Sequence, residues 1–84
     1  MDIATKVNGI QSKDDFIDFL ESLINDLKNH PENWTNNTLP EFIEAFASWT
    51  EDMEGYYINN NIQMPININW KVIADILTAA RSYE

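Results

Sequence analysis

Apolar positions recur with helical spacing in three stretches of this 84-residue chain. Between Ser12 and Asn29, residues Phe16, Ile17, Phe19, Leu20, Leu23, Ile24 and Leu27 share one wide arc at about 100° per residue, with Asp14, Asp18, Glu21 and Asn25 opposite. Ser12 followed by Asp15 is a variant of the capping box that places acids at the positive end of the helix. The run Asn29-His30-Pro31 ends it, because the residue before a proline is pushed out of the α region. The pattern predicts a helix over 12–29.

A second helix begins at Thr38. Thr38 and Glu41 form a T-x-x-E capping box, and Pro40 sits in the first turn, where its missing N–H costs nothing. Leu39, Phe42, Ile43, Phe46, Trp49, Thr50 and Met53 make the inward stripe, while Glu41, Glu44, Ser48, Glu51 and Asp52 face away. Gly55 suits a C-terminal cap, so the predicted span is 38–54. The last helix, 69–82, starts at an Asn69 cap. Its stripe of Trp70, Ile73, Ala74, Leu77 and Ala80 is widened by Val72, Ile76 and Tyr83, which predicts the most buried helix of the set. Arg81 lies at the edge of that arc, where it snorkels, pairs with an acid or stacks on an indole.

Two regions lack a helical pattern. Residues 1–11 place Ile3, Val7 and Ile10 at spacings that suit either a short helix or a packed arm. Residues 55–68 contain Asn59-Asn60-Asn61, a candidate hairpin turn, and then Ile62, Met64, Ile66 and Ile68 alternating with polar residues or Pro65. The expectation is an ordered extended segment or a small hairpin. The fold class is therefore mainly α, with three principal helices around an aromatic-rich core in one domain of residues 1–84.

Composition narrows the function. Hydrophobic residues make up 44% of the chain and aromatics 12%, too many for a disordered tail. Fourteen acids against five bases give a net charge of −9, which repels phosphate backbones and anionic lipid surfaces. Nucleic acid and membranes are thus poor partners, and a basic protein is a good one. There is no cysteine, no basic leader followed by an apolar run and no stretch of the roughly 20 apolar residues a bilayer span needs. The expected setting is the cytoplasm, as a monomer or weak homodimer.

Catalytic chemistry has little to work with. His30 is the only histidine and precedes a proline in a polar turn, and neither a nucleophile elbow nor a phosphate-cradling glycine loop is present. Asp14, Asp18 and Glu21 fall in a row on one helix face, whereas a hard cation wants six or more oxygens converging on it. No cofactor or metal is expected. The acids are more telling as two outward ridges, Asp14, Asp18 and Glu21 on the first helix and Glu41, Glu44, Glu51 and Asp52 on the second. Were these helices to pack side by side, the ridges would merge into a surface that steers a basic protein. The simpler alternative is that the acids only keep the protein soluble.

The aromatics divide similarly. Trp49 and Trp70 sit on helical stripes and read as core. Trp34, amid Asn33, Thr35, Asn36 and Asn37, is a plug over an open core end or a partner contact. Tyr56 and Tyr57, adjacent in an extended stretch, should point to opposite sides, leaving one exposed as a second contact candidate.

The segments ENWTNNTLPEFIEAFASW and NWKVIADILTAARSYE resemble a family of small bacterial domains of unknown function. Its pattern is W-x-N-x-T-L-x-x-F, then a tryptophan at the end of that helix, then W-x-x-x-A-x-x-L-x-A-A-x-x-Y-E. Trp34, Asn36, Thr38, Leu39, Phe42, Ala45, Trp49, Trp70, Ala74, Leu77, Ala79, Ala80, Tyr83 and Glu84 fit it, over residues 12–84. The resemblance implies a shared fold and no particular activity. It also implies that W-x-N-x-T-L joins two helices, the indole packing and Asn36 fastening the turn through backbone hydrogen bonds. The functional expectation is a non-enzymatic protein-binding module, an immunity or antagonist protein for a basic partner. The alternative is an accessory domain that binds through an aromatic surface.

Overall fold

Each principal helix starts where a short polar side chain can occupy its free N–H groups. In the computed structural model, which describes residues 3–83, α1 spans Ile3–Asn8, α2 Lys13–Asn29, α3 Leu39–Asn59 and α4 Trp70–Ala80. No strand occurs among the described residues. Ser12 Oγ accepts the Asp15 N–H at 3.1 Å, and the Asp15 carboxylate reaches back to the Gln11 N–H at 3.0 Å. Thr38 Oγ1 accepts the Glu41 N–H at 3.4 Å and donates to the Glu41 carboxylate at 2.7 Å. Asn69 Oδ1 accepts the Val72 N–H at 2.9 Å.

The end of α3 corrects the expected boundary. The helix runs through Gly55 to Asn59 and stops at Asn60-Asn61. Asn61 takes the left-handed conformation, at φ 56°. Its N–H bonds the Ile58 carbonyl at 3.1 Å, and the Ile62 N–H bonds the Tyr57 carbonyl at 2.8 Å, which together form a Schellman cap. The asparagine run thus terminates a helix instead of turning a hairpin. A glycine inside a helix costs about 1 kcal/mol, whereas burying one large side chain returns about 1.5–3 kcal/mol. Continuing through Gly55 brings Tyr57 inside, so the balance favours the longer helix. What remains of the extended segment is residues 62–69.

α4 is the centre of the fold. One side presents Ala74 to a cluster of Val7, Ile10, Phe19, Leu23 and Trp34; the other presents Val72 and Ile76 to Trp49, Met53 and Tyr57. α2 and α3 each pack against α4, and α1 packs on both α2 and α4. The backbones of α2 and α3 do not approach one another closely. The acidic ridges are therefore not brought together by direct packing of their helices. Among the described residues no helix is long and apolar enough to cross a membrane.

Candidate partner-binding groove

The turn after α2 decides how far the helices splay. Pro31–Asn33 forms a single 3₁₀ turn that folds Trp34 back beneath α2. The indole is only 7% exposed, stacks on Phe42 at 5.8 Å between ring centres and donates its N–H to Asp26 Oδ2 at 2.8 Å. Arg81 donates to that same oxygen at 3.0 Å, lies 6.0 Å from the Trp34 ring centre and donates its Nε–H to the Thr78 carbonyl at 3.0 Å. Arg81 thus pairs with an acid and flanks an indole at once.

Asn36 completes the fastening. Its side-chain amide donates to the Ala80 carbonyl at 3.0 Å and to the Tyr83 carbonyl at 2.8 Å, while its backbone N–H bonds the Arg81 carbonyl at 2.9 Å. These bonds tie the connection before α3 to the distant end of α4. α2 and α3 are consequently held apart across a filled base instead of closing on each other.

Between them lies an open groove of about 480 Å³. Leu20, Ile24 and Leu27 line the α2 side, Leu39 and Phe42 the α3 side, and Leu23, Trp34 and Leu77 complete the apolar surface. Among the described residues, polar ones enter only as Asn36, Asn37 and Thr38, all in the connection before α3. Two of these are engaged by the chain itself, Asn36 on carbonyls at and just beyond the end of α4 and Thr38 in the cap of α3. The apolar arcs are wider than the core uses: Ile24 is 52% and Leu39 71% exposed, and Ile17, Leu27 and Ile43 are exposed beside them. These residues were expected inside. The accessible surface of 5773 Å² exceeds the roughly 5,200 Å² of an ordinary monomer of 9.8 kDa. Two helices that lean on a third, with nothing between their outer faces, leave that surplus.

The acids flank this groove. On a helical projection Glu21 lies about 60° beyond Ile24 on α2, with Asp14 and Asp18 further round, and Glu44 and Glu51 lie beyond Ile43 on α3. All five are exposed. Glu41 and Asp52 turn elsewhere: Glu41 belongs to the Thr38 cap, and Asp52 accepts a hydrogen bond from the Tyr83 hydroxyl. That bond, followed by desolvation, raises the Tyr83 pKa above its ordinary value.

The other aromatic candidates separate. Because residues 56 and 57 are helical, Tyr56 and Tyr57 point about 100° apart. Tyr56 is exposed, while Tyr57 is 2% exposed and withdrawn from any partner, which corrects its candidacy as a contact residue. The Tyr57 hydroxyl donates to Asp75 at 2.9 Å; burial first, then this bond, raises its pKa well above the usual tyrosine range. Trp49 is buried. Trp70 is 42% exposed, contrary to its place in the apolar stripe, because it is the first residue of α4; the Phe16 ring lies 5.2 Å from it.

A second cavity, of about 540 Å³, brings His30, Ser22, Asp26 and Arg81 together beside α1. Asp26 is committed to the indole and the guanidinium, and His30 faces Glu32 at 3.3 Å, so among the described residues the cavity holds no paired nucleophile and base. Among the described residues, no three His, Asp or Glu are placed to share a cation.

Residues 12–84, from the α2 cap onward, match the family of unknown function DUF7660. The chain belongs to DUF7660. No curated protein and no solved structure matches it. Every described residue that lines the DUF7660 groove falls within the matched segment, and α1 precedes it.

The groove itself was not legible in the sequence. Leu39, Ile43, Ile24 and Leu27 carry the same periodicity as true core residues, and periodicity states which face is apolar without stating what covers it. The available signal was excess: each apolar arc is wider than one neighbouring helix can cover.

Proposed function

We propose that this DUF7660 chain is a non-enzymatic protein-binding module that seats an apolar segment of a basic partner in the groove between α2 and α3. The observation that carries this reading is the juxtaposition of an open apolar groove with exposed acids beyond both lips. The apolar surface would supply affinity, and the acids would steer the encounter and exclude acidic competitors. Among the described residues no titratable side chain lines the groove, which favours binding over acid–base chemistry. An antagonist or immunity role in a bacterial cytoplasm suits such a surface, and the charge of −9 weighs against nucleic acids and anionic membranes.

The test is a pull-down from lysate of the source organism at low and high salt, followed by titration of the recovered partner. Asp14→Lys with Asp18→Lys and Glu21→Lys should slow association and weaken its salt dependence. Ile24→Gln with Leu39→Gln should weaken binding about tenfold or more through faster dissociation, since each removes an aliphatic contact worth 1–2 kcal/mol or so. A partner retained equally by both variants would overturn the proposal.

A second reading has one specific support. Residues 55–70 contain no charged side chain, yet Tyr56, Ile58, Ile62, Ile66, Ile68 and Trp70 are exposed there. If this surface binds and the acids serve only solubility, the complex should survive high salt and fail in Ile66→Ser with Ile68→Ser.

A further inference from the structure

The groove constrains the conformation of what fills it. An extended peptide brings a row of backbone N–H and C=O groups, and each one buried without a partner is costly. Among the described residues the DUF7660 groove offers polar groups only in the connection before α3, where Asn36 and Thr38 are already bonded within the chain. Nor is there a strand edge among the described residues on which an incoming strand could pair. A helix satisfies its own backbone and meets an apolar surface with side chains alone.

The arrangement of elements suits the same occupant. α2 and α3 both lean on α4 without close approach, so the space between them is the unfilled position of a helical layer. Along α2 the exposed aliphatic residues run from Ile17 to Leu27, a rise of roughly 15 Å, or about three turns. Glu21 on one lip and Glu44 and Glu51 on the other would then lie beside the flanks of an inserted helix.

Resting on the binding role proposed above, we infer that the occupant of the α2–α3 groove is an amphipathic α-helix of a basic protein. Its apolar face follows i, i+3, i+4, i+7 spacing, and Lys or Arg stand on both flanks of that face. A second copy of the chain is disfavoured there, because its own amphipathic helices carry acids in those flanking positions.

Three synthetic peptides of about eighteen residues test this. One has leucines at the stated spacing flanked by lysines; the second carries a central proline in the same composition; the third has glutamates for the lysines. Binding is followed by amide chemical shifts of the full chain and repeated with Ile24→Gln and Leu39→Gln, two exposed positions whose replacement leaves the core intact. The lysine helix should shift groove amides and bind about tenfold or more tighter than the proline peptide. The glutamate peptide should not bind, and both groove substitutions should weaken the lysine helix.

Equal binding of the proline peptide in the groove would overturn the helical occupant and leave the binding role standing. Binding indifferent to groove substitution but lost on reversing Asp14, Asp18 and Glu21 would overturn both. No binding by any peptide would overturn the helix, the pull-down then deciding the broader role.

Discussion

Asp26 is the residue on which the base of the groove depends, and replacing it gives a direct test of how α2, the Trp34 connection and α4 are joined. One oxygen of its carboxylate accepts both the indole N–H at 2.8 Å and the Arg81 guanidinium at 3.0 Å, with about a fifth of each charged side chain exposed. A hydrogen bond to a charged group contributes about 1.5–3 kcal/mol, so losing the indole bond alone costs in that range. Arg81 keeps its bond to the Thr78 carbonyl but loses its counter-ion, a partly screened pair worth up to about 1 kcal/mol. Against this, Asp26 lies in the last turns of α2, where a negative charge opposes the helix dipole, so its removal returns about 0.3–1 kcal/mol. The net expectation for Asp26→Ala is a loss of about 2–3 kcal/mol. Asp26→Asn, which can still accept from the indole, should lose about half as much. Urea unfolding measures both, and a double-mutant cycle with Trp34→Phe should return a coupling of about 1 kcal/mol or more. Asp26→Ala within 0.5 kcal/mol or so of the parent, with unchanged m, would refute the assignment of Asp26 as the joint.

Other expectations follow from single features of the fold. A Cβ at Gly55 would meet no atom within 4 Å, so Gly55→Ala should stabilise by about 0.5–1 kcal/mol and raise the Tm by about 3–6 °C in thermal scans. Asn61→Gly should be tolerated, whereas Asn61→Val should cost about 1–2 kcal/mol in the same assay, because only the former suits φ 56°. Asn36→Ala removes bonds to the Ala80 carbonyl at the end of α4 and the Tyr83 carbonyl just beyond it, and should cost about 1–3 kcal/mol, with amide exchange rising first at the end of α4. Tyr57 has a folded-state pKa above its unfolded value, so its contribution is complete below pH 10 or so and is lost as pH rises beyond it. Urea midpoints should therefore fall above that pH, less steeply in Tyr57→Phe, with Tyr83 supplying a residual slope of the same sign.

Local chemistry determined a good part of this protein in advance. Ser12, Thr38 and Asn69 start helices because each carries an oxygen one turn from a free N–H, a relation of three residues that needs no tertiary knowledge. The mainly helical class, the burial of α4 and the charge of −9 are likewise properties of the sequence itself. The end of α3 was not, since Gly55 and Asn61 are both credible caps, and the choice turns on Tyr57 finding a cavity among Trp49, Met53 and Ile76. Nor could the fate of Trp34 be read locally, because its partners are Asp26 from α2, Phe42 from α3 and Arg81 from the residue that follows α4. The same reason hid the groove. Whether Leu39 or Ile24 is core or surface depends on whether α2 and α3 touch, and that is set by how Trp34 and Asn36 wedge and fasten their connection against α4.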